Sequence, residues 1–126
     1  MNNNETYTGF LINKKREGYG KVVHVNKTVK YEGQFKNNGY EGKCIKIYYD
    51  KEKLAYEGGH CKGHKKGFGR LYWSNGKVCY EGEWASDNPV GKQIFIYDRD
   101  GKVAYKGDSL GVSIIKYFQI RVKVNS

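Results

Sequence analysis

Five tyrosines recur along the chain at a nearly constant spacing, and this regularity limits what the chain can fold into. Successive members are 24, 25, 24 and 25 residues apart: Tyr7, Tyr31, Tyr56, Tyr80 and Tyr105. A glycine follows each of the first four tyrosines after 11 residues, at Gly18, Gly42, Gly67 and Gly91. A fixed period of this length is the signature of a repeat protein. We predict one domain over residues 1–126, with units starting near these tyrosines and a degenerate capping unit from Tyr105.

Each unit has the pattern of two β-strands. Segments such as Ile45-Lys46-Ile47-Tyr48-Tyr49 are rich in β-formers, and no segment holds a helical apolar period. We predict a strand, a loop of about six residues, a second strand and a tight turn. Asn75-Gly76 is expected to form a two-residue turn and Gly101 the left-handed position of a three-residue turn, and differences in turn length should cause the alternating period.

The predicted fold is all-β. About ten strands should form a single-layer antiparallel β-meander of repeated hairpins, giving an elongated, twisted, open-groove ribbon in which each unit touches only its neighbours. In Tyr80-Glu81-Gly82-Glu83-Trp84, alternate residues share one face of the strand. The missing side chain of Gly82 should leave a slot for a neighbouring ring, and Gly67 and Gly69 should make similar room.

These residues resemble the MORN repeat (membrane occupation and recognition nexus). The family pattern is Tyr-Glu-Gly-x-Trp/Phe, a polar loop, Gly-x-Gly and a strand, and the likeness extends from residue 7 to about residue 107. Departures occur at Cys44 and Gln93, which replace the second glycine, and at Leu11 and His60, which replace the fifth-position aromatic. The resemblance implies a non-enzymatic interaction module whose open groove takes peptide partners, with phospholipid binding also attributed to the family.

The last unit departs furthest from the pattern. Ser109 stands at its aromatic position and Lys116 at its 11-residue glycine. Terminal repeats are expected to be atypical, so we interpret this unit as a cap. Alternating apolar residues predict a final strand: Ile114, Phe118, Ile120, Val122 and Val124. That strand can pair with its copy in a symmetric homodimer.

The composition favours a cytoplasmic binding module. Aromatic residues make up 15% of the chain, which argues against disorder. The three cysteines form no C-x-x-C pair, and no apolar signal segment follows the polar start. We therefore expect free thiols in a reducing cytoplasm. The protein can still lie at the periphery of a membrane or of the cytoskeleton. The net charge of +10 favours acidic partners.

Several chemical functions are disfavoured by the arrangement of residues. The Gly-x-Gly pairs precede strands rather than helices, which excludes a nucleotide-binding fingerprint. His60-Cys61-Lys62-Gly63-His64 offers three potential metal ligands without the spaced pairs of a zinc site, and no base, nucleophile and orienting group occur together. We therefore expect no enzyme activity, no cofactor and no metal. Nucleic acid is an unlikely partner, because the repeat explains most rings as structural.

Two sets of residues are candidates for binding. A partner protein segment is expected on the aromatic-lined face of the sheet, because aromatic side chains anchor most interfaces. The candidates for that face are Tyr48, Tyr72, Trp73, Trp84, Phe95 and Tyr97. Acidic phospholipid is the alternative ligand, bound by basic loops that recur at one edge of the ribbon. The candidates for that edge are Lys14, Lys15, Arg16, Lys62, Lys65 and Lys66.

Overall fold

The computed structural model describes residues 5–49 and 53–116, and these residues form one open antiparallel sheet. Its strands are β1 Glu5–Ile12, β2 Lys15–His24, β3 Val29–Lys36, β4 Gly39–Tyr40, β5 Gly42–Tyr48, β6 Leu54–Cys61, β7 His64–Tyr72, β8 Val78–Ala85, β9 Asn88–Val90, β10 Ile94–Tyr97 and β11 Val103–Gly107. The order in the sheet is β1-β2-β3-β5-β6-β7-β8-β10-β11, with β4 paired to β3 and β9 to β8. The predicted all-β meander ribbon is confirmed.

The predicted six-residue loops do not exist, because the strands continue into the polar stretches. Two-residue turns connect the strands there, at residues 13–14, 37–38, 62–63 and 86–87. Both residues of each turn have positive φ, for example 49° at Ser86 and 70° at Asp87. This is the backbone of a type I′ hairpin turn, whose twist matches that of the flanking strands. The four turns lie along one long side of the ribbon, where the strands end, and we call this side the basic edge.

The alternating period also has a different origin from the one predicted. The described turns at the opposite edge enclose three residues, as shown by bonds from Trp73 N to Lys77 O and from Asp98 N to Lys102 O. Asn75-Gly76 therefore lies in a three-residue turn, whereas the prediction for Gly101, with φ of 90°, is confirmed. The extra residue lies inside the second strand of units two and four. There the strand is interrupted, giving β4 and β5 in one unit and β9 and β10 in the other.

The core lies on one face of the sheet, which we call the tyrosine face. A cross-strand row on this face alternates tyrosine with an aliphatic residue: Tyr7, Val22, Tyr31, Ile47, Tyr56, Leu71, Tyr80, Ile96 and Tyr105. Tyr31 and Ile96 are fully buried, although no second layer of strands covers them among the described residues. Large rings in a regular row thus supply the core of a one-layer fold.

Glycine makes this row possible by leaving room for the rings. A Cβ atom at Gly82 would lie 2.6 Å from the Tyr80 hydroxyl, and one at Gly69 would lie 2.3 Å from that of Tyr56. The ring in each slot therefore belongs to the unit's own tyrosine rather than to the neighbouring ring that we predicted at Gly82. Gly67 is different, because it has open space around it and a φ of 80°.

Each ring is fixed by the same hydrogen bond. The tyrosine hydroxyl donates to the carbonyl oxygen three residues later, at 2.5 to 2.8 Å, in all five units. The ring must lie along its own strand to reach that oxygen, which places it over the glycine two residues later. The Tyr-x-Gly spacing thus encodes a ring lying flat on its strand.

The chain after β11 folds back on the fourth unit. Ser109 N donates to Gly91 O at 3.0 Å, Gly91 N donates to the Ser109 hydroxyl at 2.9 Å, and Ile114 is buried in the core. Residues 114–116 are helical, so the predicted final strand does not begin at Ile114, where burial against the core stabilises a turn of helix instead. The rest of that predicted strand lies outside the described residues.

Candidate functional site

The face opposite the tyrosine face carries a ladder of alternating charges, and we call it the ladder face. Residues of opposite sign lie directly across from one another on successive strands: Lys21, Glu32, Lys46, Glu57, Arg70 and Glu81. Arg70 Nε lies 2.9 Å from Glu81 Oε2. Opposite charges across a strand pair stabilise a sheet modestly. The glutamate of each Tyr-Glu-Gly motif thus belongs to a neutralised row, and the ladder face has no net attraction for an acidic surface along this row.

Aromatic rings flank the charge ladder on the same face. The Tyr19 hydroxyl donates to Glu32 at 2.6 Å, and the Tyr48 hydroxyl lies 3.5 Å from the same carboxylate. The bond from Tyr19 lowers the pKa of Glu32, and the same bond raises the pKa of Tyr19. Phe68 lies beside Arg70, whose guanidinium carbon is 5.6 Å from the ring centre. The ladder face therefore combines rings and charges that are accessible from solvent.

Four of the six predicted partner-binding residues lie on the ladder face, and two do not. Tyr48, Tyr72 and Tyr97 are half-buried and pair with Leu54, Val78 and Val103, and Phe95 is 38% exposed. Trp73 and Trp84 are each 2% exposed and belong to the core cluster. The indole of Trp73 donates to Tyr97 O at 3.0 Å, and that of Trp84 donates to Gly69 O at 3.1 Å.

Tyr19 and Phe68 are exposed rings on the ladder face that were not among the predicted residues. Tyr19 is 55% exposed and Phe68 is 52% exposed, and they occupy equivalent positions in units one and three. Each is the middle residue of a Gly-x-Gly motif. Because the second glycine lies on the tyrosine face, strand alternation directs the middle side chain to the opposite face. That alternation was the signal that could have identified them.

The predicted lipid-binding residues lie along the basic edge but differ in environment. Lys14, Lys15, Lys62 and Lys66 are exposed. Arg16 instead lies over the ring of Tyr7, 4.9 Å from its centre, and Lys65 lies 5.2 Å from the centre of Tyr56. Burial lowers the pKa of Lys65. Four of the six cations thus face solvent, and two cover core rings through cation–π contacts.

The turns of the basic edge are tied to one another by side chains. Arg16 N donates to Asn38 Oδ1 at 2.8 Å, and Lys65 N donates to Asp87 Oδ1 at the same distance. Asp87 also lies 2.7 Å from His64 Nδ1. Burial alone would raise the pKa of Asp87, but the bonds from His64 and Lys65 outweigh it and lower that pKa. The exposed lysines of this edge therefore stand on turns that are held in register.

The histidines of the 60–64 segment have protein partners. His60 is buried, with Nδ1 3.4 Å from Tyr40 O, and burial lowers its pKa. Across residues 5–49 and 53–116, no three His, Cys, Asp or Glu side chains are grouped to hold a metal ion. No helix in the same ranges has the length and apolar character needed to cross a bilayer.

A one-layer sheet of Tyr-x-Gly hairpins, with a filled tyrosine face and an open ladder face, defines a repeat protein. The MORN repeat family matches residues 7–29, 31–53, 62–78 and 80–92, which is more than half of the chain. The chain therefore belongs to the MORN repeat family, and the predicted resemblance is confirmed. No curated protein matches it. MORN repeats are generally non-enzymatic and are linked to protein or membrane-lipid interactions.

Proposed function

We propose that this chain is a non-enzymatic scaffold module that binds a partner protein segment on the ladder face. The observation that carries the proposal is the exposure of Tyr19, Phe68 and Phe95 on the face that does not form the core. Tyr48, Tyr72 and Tyr97 extend this surface toward the opposite edge. A large ring that remains exposed in a folded domain contributes little to its stability, whereas at an interface it supplies a rigid anchor.

The charge ladder favours a protein partner over a lipid on this face. Its alternating signs cancel along the row, so an anionic bilayer gains little from it. A protein segment can match alternating charges with its own, which adds specificity and register to the apolar contacts of the rings. The partner we propose is therefore a segment with apolar residues spaced among charges of both signs.

Replacing the three exposed rings should abolish partner capture while leaving the fold intact. The variant is Tyr19→Ala, Phe68→Ala and Phe95→Ala, and each change should cost about 1 kcal/mol of stability or less because the rings are exposed. Loss of two or three anchors should weaken binding at least 100-fold. The measurement is pull-down from native cells with quantitative mass spectrometry, with circular dichroism as the check on folding.

The matched control is Val25→Ala with Leu110→Ala, which removes exposed apolar side chains away from the ladder face, at 73% and 90% exposure. Proteins captured by the wild type and the control but lost from the ring variant are the expected partners. Equal capture by all three proteins would contradict the ladder face as the binding surface.

Acidic phospholipid is the second candidate ligand, and the basic edge is its proposed site. The exposed lysines occur on the turns of units one and three, four strands and therefore about 19 Å apart. Each lysine near an anionic surface contributes about 1 kcal/mol, an effect that decays within a Debye length. Two clusters at one edge can touch a bilayer together, without an apolar wedge and with little preference among headgroups. We accordingly propose a cytoplasmic location with peripheral membrane contact.

Reversing four charges at the basic edge should remove binding to acidic vesicles. The variant changes Lys14, Lys15, Lys62 and Lys66 to Glu and leaves Arg16 and Lys65 in place, since those two cover core rings. The control makes the same charge change elsewhere, at Lys27, Lys43, Lys92 and Lys102, which are also exposed. Co-sedimentation with acidic and neutral liposomes at low and physiological salt should show salt-sensitive binding that the control largely retains. Equal binding to neutral vesicles, or no effect of salt, would refute this candidate.

A symmetric homodimer through the terminal segment is the third proposal. Its only support is the apolar alternation beyond residue 116, since residues 114–116 are helical. Sedimentation showing a strict monomer at high micromolar concentration would exclude it.

A further inference from the structure

The chain repeats more faithfully at 49 residues than at 24 or 25. Contacts in unit one recur in unit three with a shift of 49: the bond from Arg16 N to Asn38 corresponds to that from Lys65 N to Asp87. The two-residue turns, the cation–π contacts and the uninterrupted second strands recur with the same shift. β1 is therefore the structural equivalent of β6, and β2 of β7.

The two equivalent strands differ in their neighbours. β6 lies between β5 and β7, whereas β1 pairs with β2 alone within the described part of the chain. The difference shows in burial, because Tyr56 is 1% exposed but its equivalent Tyr7 is only half-buried. His60 is 7% exposed, and its equivalent Leu11 is 61% exposed. β1 therefore has the environment of β6 without the neighbouring strand that β5 provides.

The open side of β1 has the features of an acceptor for another strand. Phe10, Leu11 and Ile12 are consecutive and 59% to 71% exposed. A cavity of about 780 Å³ lies at the same place, lined in part by Tyr7, Leu11 and Arg16. An edge strand presents a row of unpaired backbone N–H and C=O groups, which a further strand can satisfy.

The pairing of β5 with β6 specifies what an added strand should contain. Ile45 lies opposite Gly58, Lys46 opposite Glu57, and Ile47 opposite Tyr56. The equivalents of those three β6 residues in β1 are Gly9, Thr8 and Tyr7. The added strand should therefore be antiparallel, with a β-branched residue, a basic residue and a second β-branched residue at these positions. Thr8 is exposed and stands where β6 has a glutamate.

We propose that β1 of one copy accepts residues 120–124 of a second copy as this strand. Two overlapping triplets in this segment have the required order, Ile120-Arg121-Val122 and Val122-Lys123-Val124, and both lie outside the described residues. The register we propose uses the first. In the β5–β6 register, Ile120 faces Gly9, Arg121 faces Thr8, and Val122 faces Tyr7. The described strand with this pattern, β5, is already paired on both sides.

The donor must be a different copy because of distance. Residue 116 follows the segment that is bonded to Gly91, at the far end of a path of nine strands. Ile114 N donates to Asn88 of β9, which pairs with β8, so about seven spacings of 4.8 Å, or about 34 Å, separate this place from β1. Four residues from 116 to 120 span at most about 14 Å. Pairing is therefore head to tail between copies, which gives a series of oligomers rather than a closed dimer.

Changing the charge at position 8 should change self-association in both directions. Thr8→Glu restores the glutamate found in β6 and should tighten association about threefold by facing Arg121. Thr8→Lys should weaken it about threefold, and Thr8→Lys with Arg121→Glu should restore it. The measurement is sedimentation equilibrium of the full chain between 1 and about 300 μM, a range that covers weak protein–protein affinities. Thr8→Lys with Lys123→Glu tests the register, since Lys123 would face Thr8 if Val122-Lys123-Val124 were the paired triplet; in the proposed register it should not restore association.

The expected result is a distribution of oligomers that extends beyond the dimer as concentration rises. Association should be tightest for Thr8→Glu, intermediate for the wild type and weakest for Thr8→Lys. A chain that stays monomeric over the whole range would overturn the proposal. So would a dimer that grows no further, as a symmetric contact predicts, or association that is indifferent to Thr8→Glu and Thr8→Lys. Thr8 lies on the ladder face opposite Lys21, but the variants leave the rings Tyr19, Phe68 and Phe95 unchanged. Loss of self-association can therefore be told apart from loss of partner capture, which is measured with the ring variant.

Discussion

Replacing Gly69 by alanine is expected to lower the free energy of unfolding by about 2 to 3 kcal/mol. The added Cβ would lie 2.3 Å from the hydroxyl of Tyr56 and 2.7 and 2.8 Å from two of its ring carbons. The ring cannot simply move away, because it is 1% exposed and its hydroxyl donates to Gly59 O at 2.8 Å. Chemical denaturation followed by tryptophan fluorescence measures the loss.

The control for Gly69 is Gly39→Ala. Gly39 also lies in a strand, but an added Cβ would meet nothing closer than Lys36 O at 3.5 Å, an ordinary contact. Its change should stay within about 0.5 kcal/mol of the wild type. If the two alanine variants proved equally stable, the idea that Gly69 leaves room for the Tyr56 ring would be wrong. The glycines would then only ease the twist of the sheet.

Replacing Trp84 by alanine should have the larger effect, a loss of about 3 to 5 kcal/mol. Its ring meets Tyr80 and Tyr56 edge-on, with centres 5.1 and 5.6 Å apart, and Lys65 lies over it. Its removal would leave a cavity in a one-layer core, where no second sheet can collapse to fill it. Small domains have only about 5 to 15 kcal/mol of stability, so much of the protein is expected to unfold at 37 °C.

Phe95→Ala is the matched comparison for Trp84→Ala. Phe95 was predicted to bind a partner on the same grounds as Trp84, yet it is 38% exposed. Its replacement should cost about 1 kcal/mol or less in the same denaturation experiment. Comparable losses for the two residues would show that the ladder face is also part of the stabilising core.

The period of the tyrosines predicted the architecture because each tyrosine needs its glycine at a fixed distance. The ring of Tyr80, for example, must lie over Gly82 to reach Glu83 O. Any insertion between them would break the bond and displace the ring from the core row. The meander of repeated hairpins could therefore be inferred from residues alone.

The interrupted strands could not be inferred in the same way. Units two and four hold one more residue than the others, and the chain absorbs it after Gly42 and after Gly91. Lys43-Cys44 faces a single residue of β6, which is a bulge in the hydrogen-bond register. Composition does not distinguish a residue in a bulge from one in a turn, so the prediction that the extra residue lies in the turn is wrong. Ile45, which lies opposite Gly58, consequently stands where the second glycine of the family pattern would lie.

The candidate site was predicted only in part for a related reason. Tryptophan suits a core and an interface equally well, since it combines a large apolar area with one hydrogen-bond donor. Trp73 and Trp84 use that donor on backbone carbonyls of the same sheet. Which face a ring occupies depends on the register, and the register was uncertain wherever a strand was interrupted. Tyr19 and Phe68 were not predicted, because the glycines on either side of each ring were interpreted only as space for rings on the tyrosine face.

Photo-cross-linking from the ladder face in the native cell tests partner binding on that face most directly. A photoreactive phenylalanine analogue at position 68 or 95 replaces an exposed ring by one of similar size, and the same analogue at position 25 probes an exposed site in a turn. Partner binding on the ladder face predicts adducts with the same protein from positions 68 and 95 and none from position 25. Adducts from position 25 alone, or no adduct from either ladder-face position, would contradict it.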